Sequence, residues 1–471
     1  MKTPRVVVVG GGISGLTLAF TLQEDARRLG APLSLTVVEA APRAGGHIRT
    51  THADGFVIES GPNGFLNREP HTLALVDALG LQSRLVEARP ESRKRYILRD
   101  GRLRAVPSGP ASLLTSSALS WAGKLRLLRE PFASSAHSDR EETVHGFASR
   151  RIGREAAEML VDAAVAGISA GDSRQLSVDA QFPEMVAMER EHGSLLWAML
   201  KTPRPSTPRR LLSFDRGMQV LVDELCARLG PSLQVDRPVQ ALRRAGDVWR
   251  LTCAGGVVIE ADHVVLSVPA WAAAVMLNDA APELAAQVGR VSYAGLTVVG
   301  LGYAASDIPR ALDGYGYLVT KPEGLATLGV VWESSLFPGR AADGTALLRV
   351  FLGGTRRPEI AAAPPEHVLK LARQELNKVM RITAEPRHVS VAAWPRAIAQ
   401  YTVGHTARQR EMRTLLARHP GLHISGTAFD GISFNHAVKS GRLTARRMAD
   451  SLWDVPAAAS TFQPAEAMVD A

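Results

Sequence analysis

The sequence predicts a mixed fold: a discontinuous α/β domain with a parallel sheet, a β-rich α+β domain, and an all-α insertion. Three observations carry this prediction. A β-branched run, Val6 to Val9, opens the chain and leads straight into three glycines and a helical stretch. From about Ser112 to Arg210 strand signals vanish and apolar residues recur at three and four spacing, as in GREAAEMLVDAAVAG. Strand, glycine turn and helix then return near the C-terminus in GLHISGTAFDGISFNHAVKSGRLTARRMADSLW. At 471 residues the chain exceeds one hydrophobic core, so two or three domains are expected. The expected division is 1–90, 211–292 and 393–455 for the split α/β domain, 91–110 and 293–392 for the β-rich domain, 111–210 for the helices, and 456–471 as a disordered tail rich in Ala, Ser and Pro.

The first element admits two readings. Lys2, Arg5 and the apolar run to Leu22 look like a secretory leader. Gly10, Gly11 and Gly12 argue against it, because each costs roughly 1 kcal/mol in a helix interior. A dinucleotide turn needs them. Gly10 permits the tight turn, Gly12 lets the backbone approach a pyrophosphate, and Gly15 lets the next helix pack closely on its strand. The helix predicted over Ser14 to Leu29 would turn its unpaired N–H groups and positive dipole end toward the phosphates. A second strand, LSLTVVEA, ends in Glu39, placed to accept both ribose hydroxyls of an adenosine. These features in this order select the dinucleotide reading.

The remaining elements follow by pattern. FDRGMQVLVDELCARL reads as a helix ending near Gly230, and the stretch from Val235 to Ala270 as a small antiparallel meander leading to a buried strand. LTVVGLGY, YGYLVT, LGVVWES and ALLRVFLGG read as strands, with one long helix from Glu366 to Met380. PSGPASLLTSSALSWAGKLRLL is amphipathic; a core helix is the default reading and an interfacial helix lying on a membrane the alternative. No other stretch approaches the length of a spanning helix. Cys226 and Cys253 read as reduced, buried thiols, and no metal-site spacing occurs.

An apolar fraction of 46% with 21% charged residues describes an ordinary globular chain. The net charge of +9 favours an acidic substrate or an anionic membrane face. Nucleic acid is the least favoured partner, since no recognition helix or basic-aromatic repeat occurs. Two basic clusters stand out: Arg93, Lys94, Arg95, Arg99, Arg102 and Arg104; and Lys201, Arg204, Arg209 and Arg210.

GGGISGL, VVEAAPRAGGHIRT, ESGPNGF and GTAFDGISFNHAVKSG together resemble the FAD-dependent amine oxidase superfamily. Blocks such as GPNGFLNREP, KRYILRDGRLRAVP, AVAGISAGDSRQLSV, FPEMVAMEREHGSL, ESSLFPGR and FLGGTRRP resemble its protoporphyrinogen oxidase family over nearly the whole length. The resemblance implies non-covalent FAD and six-electron oxidation of protoporphyrinogen IX to protoporphyrin IX in haem biosynthesis. It implies molecular oxygen as acceptor, hydrogen peroxide as product, and docking of the helical insertion on the cytoplasmic face of the inner membrane. A homodimer is the family's habit. Carried over position by position, the flavin contacts are Gly10, Gly11, Gly12, Ile13, Ser14, Gly15, Glu39, Ala40, Arg43, Gly46, His47, Gly61, Pro62, Asn63, Gly64, Val239, Trp394, Gly426, Ile432, Ser433 and Phe434. For the substrate the match implies Arg95 on a propionate, Leu318 and Phe351 on the porphyrinogen rings, and Asn63 and Gly167 lining the pocket. The family's alternative substrate is the tetracarboxylate coproporphyrinogen III; a flavin amine oxidase is a more distant alternative.

One departure concerns the pocket wall. Val331 stands where the family usually shows leucine, and Glu333 follows it by two residues. Strand alternation puts both on one face, where a free carboxylate would repel propionates. No side chain declares itself a general base, and no catalytic residue is assigned. His436 follows the last glycine turn, and its helix position suggests a structural role.

Overall fold

The computed structural model describes residues 3–134, 141–201 and 208–453. Arg204 of the second basic cluster and the tail expected over 456–471 lie outside the described residues.

The first sheet is five-stranded and parallel, in the order Leu233–Gln234, Ser34–Val38, Arg5–Val9, His263–Leu266, Leu422–Ile424. Its central strand is buried over Val6 to Val9, as a β-branched run covered on both faces should be. Three distant stretches of the chain supply these strands, so the discontinuity expected from the sequence is present. Helix Ile13–Leu29 follows the first strand directly and packs along the C-terminal helix Phe434–Trp453. Their approach is close: a Cβ on Gly441 would collide with the Ser14 carbonyl oxygen. A three-stranded antiparallel meander (Val239–Ala245, Val248–Cys253, Val258–Ala261) lies beside the sheet, as predicted. Cys253 is buried, while Cys226 on helix Gln219–Leu229 is only half-buried; both are free.

The second sheet has seven strands in the order His388–Gln400, Ser292–Ala304, Thr345–Gly353, Thr327–Trp332, Gly316–Val319, Tyr96–Arg99, Arg102–Ala105. Helix Pro365–Met380 covers one face, with Val368, Ala372 and Leu376 in that core. Strand His388–Gln400 pairs along its length with Ser292–Ala304, and the domain boundary expected at 393 falls inside it.

Between Ala105 and Leu211 the described residues form helices and no strand. Helix Asp162–Ser169 docks this unit on the second sheet: Arg356 donates to Asp162 at 2.9 Å, and Gly167 lies against Leu318. The unit is tied internally by charge. Arg151, fully buried, pairs with Glu130, whose oxygens also accept from Ser194 Oγ and the Leu195 and Leu196 N–H groups.

The amphipathic stretch reverses the core-helix expectation. It forms two short helices, Pro110–Thr115 and Trp121–Leu128. Leu114, Trp121, Leu125 and Leu128 point outward, whereas Lys124 is buried, its ammonium 2.8 Å from the Leu114 carbonyl and 4.3 Å from the Trp121 ring centre. The lysine is covered by the Leu114 backbone and the Trp121 ring, and the apolar side chains are left on the outer face. No helix among the described residues is long and apolar enough to cross a membrane.

Candidate flavin and substrate site

The first glycine turn is shaped by packing on one side and openness on the other. A Cβ on Gly10 would strike the Ser267 carbonyl, and one on Gly15 the Gly10 carbonyl, whereas one on Gly12 would meet nothing within 4 Å. Gly12 caps helix Ile13–Leu29 without a side-chain hydrogen bond, and the first turn holds no acidic residue. Its free N–H groups are therefore available to an anion. Ser14 is buried in this first turn.

Glu39 stands at the tip of its strand, as predicted. Its Oε2 accepts from the Gly11 N–H at 2.7 Å and its Oε1 from the Ala41 N–H at 2.8 Å. Each oxygen keeps a second lone pair for a hydroxyl donor. The Arg237 N–H donates to the Glu39 carbonyl at 2.8 Å, which brings the buried Val239 to the same end of the site. Ala40 lies between Glu39 and Ala41 in this turn.

The second turn is bound to the first through the Gly45 N–H, which donates to the Gly11 carbonyl at 2.7 Å. Gly46 follows with φ 57°, and a Cβ there would stand 3.4 Å from the Gly12 Cα. Arg43 is turned into the protein: its Nη2 donates to the Ile48 carbonyl and Gln219 Oε1, both at 2.7 Å, so it braces the turn from behind. His47 packs edge-on to Trp394 with ring centres 4.8 Å apart. Trp394 Nε1 donates to the Ser60 carbonyl at 2.9 Å, which reaches the third turn, Gly61, Pro62, Asn63 and Gly64. There a Cβ on Gly61 would strike the His47 carbonyl.

The last turn closes the ring of contacts. Gly426 lies 3.8 Å from Ser14 Oγ by its would-be Cβ, and its N–H donates to Ser440 Oγ at 3.0 Å. Ile432 packs on the first domain's core, Ser433 Oγ accepts from the His436 N–H at 3.1 Å, and Phe434 stacks on Phe65 at 5.4 Å. His436 faces Gly431, where it fills the turn. Sequence reasoning missed Tyr401, which spans this turn: its hydroxyl donates to the Thr427 carbonyl and accepts from the Gly431 N–H, both at 2.7 Å. Four glycine turns, an acidic strand tip and an uncapped helix thus converge, and their donors and acceptors fit a long dinucleotide such as FAD.

Three of the residues expected to meet substrate, Leu318, Val331 and Phe351, lie on the seven-stranded sheet. Leu318 pairs with Gly329, Gly329 with Phe351, and Phe351 with Val298, which pairs in turn with Ala392. One step along, Gly316, Val331 and Arg349 form the next row. Directly opposed residues of antiparallel strands share a side, so Leu318, Val331, Arg349, Phe351 and Trp394 all face one way. Gly167 approaches Leu318 so closely that a Cβ would collide with its methyl groups. Arg95 is exposed, its guanidinium 5.3 Å from the centre of the Tyr315 ring.

The expected repulsion from Glu333 does not arise. The strand ends at Trp332, yet Glu333 still turns to the side expected, and there it is buried against Arg349. Arg349 Nη1 donates to Glu333 Oε1 at 2.6 Å, and Asn63 Nδ2 donates to the same oxygen at 2.8 Å. The pairing was invisible in sequence because Arg349 lies on a different strand, inside an apolar run.

Comparison with known proteins agrees with this geometry. Residues 13–449 match the family model described as flavin containing amine oxidoreductase. The chain is 30% identical to a coproporphyrinogen III oxidase of Bacillus subtilis, over 93% of this chain and 96% of the relative. It is 32% identical to the human protoporphyrinogen oxidase, over 93% and 97% respectively. A crystal structure from Exiguobacterium sp. 255-15, provisionally assigned as a protoporphyrinogen oxidase, superposes with a TM-score of 0.83 at 26% identity, covering 96% of this chain and all of that one. The cyclohexylamine oxidase of Brevibacterium oxydans shares the fold, with a TM-score of 0.70 at 19% identity over 96% of this chain and all of that one. The chain belongs to the flavin-containing amine oxidoreductase family and is an FAD-dependent oxidoreductase.

Proposed function

We propose that this enzyme oxidises protoporphyrinogen IX to protoporphyrin IX in three two-electron steps, with dioxygen as acceptor and three molecules of hydrogen peroxide released. The observation that carries this reading is the single sheet face that runs from Trp394, beside the flavin turns, through Phe351 and Leu318. A flat, apolar macrocycle laid on that face would have its edge near Arg95, the cation suited to a propionate. The names of relatives at 30–32% identity support the same substrate class. FAD supplies the hydride acceptor. The protein's own part is to hold the macrocycle, exclude water with the helical insertion, and keep Arg95 at the carboxylate edge.

A second reading, the tetracarboxylate coproporphyrinogen III, is favoured by a specific cluster. Asn67 and Arg210 are hydrogen-bonded across neighbouring strands at 2.9 and 3.1 Å, which brings Arg68 and Arg209 side by side. Burial, then Arg95 and Arg68, hold the Arg209 pKa below its ordinary value. None of the three arginines has an ion-pair partner among the described residues, so further carboxylates would find free cations there.

Turnover of the purified flavoprotein on both porphyrinogens side by side, followed by porphyrin fluorescence and oxygen uptake, separates the readings. Preference for the dicarboxylate supports the first, preference for the tetracarboxylate the second. Porphyrin formation without oxygen uptake would reject dioxygen as acceptor, and no porphyrin from either substrate would reject both readings.

A further inference from the structure

The buried pair Arg349–Glu333 ends in an oriented carboxamide. Both side chains are 1% exposed, in the wall behind the pocket. One guanidinium grips two points of the third glycine turn: Arg349 Nη2 donates to the Gly61 carbonyl at 2.5 Å, and Nη1 holds Glu333, which holds Asn63. An ionised carboxylate only accepts, so the Asn63 amide must turn its nitrogen toward Glu333 and its carbonyl oxygen away. The Tyr315 phenol lies within hydrogen-bonding reach of the Asn63 side chain and near Glu333, and Arg95 lies over the Tyr315 ring. Arg95, Tyr315, Asn63, Glu333 and Arg349 therefore form a file from the exposed Arg95 to the buried Arg349. Glu333 Oε2 and Arg349 Nε are both buried without a hydrogen-bond partner among the described residues.

We propose that Glu333 and Arg349 are positioning residues that fix the Asn63 carbonyl oxygen as an acceptor for a pyrrolic N–H of the reduced macrocycle. This rests on the porphyrinogen reading above. A porphyrinogen has tetrahedral bridging carbons, so its pyrroles tilt and their N–H groups project from the mean plane. A porphyrin is flat, and its N–H groups point into the ring centre, beyond reach of a carbonyl on either side. The Asn63 oxygen thus favours the reduced substrate over the oxidised product, as a site built to hydrogen-bond a donor rejects a ligand lacking it. Product release is aided by the same discrimination.

The test compares Asn63→Ala, Glu333→Gln and the double variant, using kcat/KM per bound flavin for porphyrinogen and the inhibition constant of the porphyrin product. Asn63→Ala is expected to lower kcat/KM about tenfold, the scale of one hydrogen bond, and to leave product inhibition within about twofold. Glu333→Gln frees the amide to rotate and lowers kcat/KM in the same direction. The double variant is then no worse than Asn63→Ala alone, because Glu333 acts through Asn63. Should Glu333→Gln fail to fold, Glu333→Gln with Arg349→Met removes both charges and takes its place. Parallel changes in kcat/KM and product inhibition, or additive losses in the double variant, overturn the proposal. If the unaltered enzyme oxidises neither porphyrinogen, the reading beneath it fails instead.

Discussion

Arg95 is exposed, held by a cation–π contact to Tyr315 and by no carboxylate among the described residues, so removing it should cost binding rather than folding. Arg95→Ala is expected to raise KM for a porphyrinogen about 10- to 100-fold, the scale of one charge-assisted pair, with kcat and melting temperature little changed. A loss confined to kcat would assign Arg95 elsewhere. His405 makes a different prediction. Its ring is fully buried, stacked on Tyr401 at 4.0 Å, and both nitrogens lack a hydrogen-bond partner. Burial, with Arg408 nearby, pushes its pKa down to about 4 from an ordinary value of 6.5. Between those values the unfolded chain binds a proton that the folded one refuses. Stability is therefore intact above about pH 6.5 and declines as pH falls toward 4, by up to about 1.4 kcal/mol per unit. Urea unfolding at pH 7.5 and 5 should show this loss, and His405→Phe should reduce it, leaving the share of His71 and His423, whose pKa values burial also lowers to about 4; an unchanged slope would place the titration wholly in those two.

At the scale of elements, helices Ile13–Leu29 and Phe434–Trp453 pack closely. Gly441→Val would force them apart against the Ser14 carbonyl and the Leu18 N–H, 3.2 Å from the would-be Cβ. The expected cost is about 1–3 kcal/mol, read as a lower melting temperature. FAD content should fall with it, because the same two helices carry the first and last glycine turns. A variant with unchanged flavin content and melting temperature would show that the helices can separate without loss. The first strand, both helices and the acidic strand tip were legible in sequence, since each is local: a β-branched run, glycines, an amphipathic period, one carboxylate. The polarity of Trp121–Leu128 was not, because an amphipathic helix specifies two faces without saying which turns inward.

For the whole molecule, the helical insertion leaves Trp121, Leu125, Leu128 and Phe132 exposed beside Trp197, Met199 and Leu200 on the adjoining helix Leu195–Lys201. We propose that this apolar patch, with the exposed Arg129 beside it, rests on an anionic membrane surface. The protein should sediment with vesicles containing anionic phospholipid, and Trp121→Glu with Phe132→Glu should release it while solution turnover is retained. Equal sedimentation of this variant would remove the patch from that role.

By itself the sequence determined the glycine turns, Glu39, the buried central strand and the fold class, all signals carried within short windows of chain. Only the tertiary structure decided how distant windows meet. Three stretches far apart in sequence interleave into one parallel sheet, which depends on strand order rather than on any local pattern. Tyr401 reaches the last turn from 26 residues upstream of Thr427, and no motif marks it. Glu333 read alone was a charge facing an acidic substrate; strand pairing set Arg349 beside it and turned a repulsion into a buried, neutral pair. The physical reason is that pairing across a sheet is long-range, whereas periodicity and turn chemistry are not.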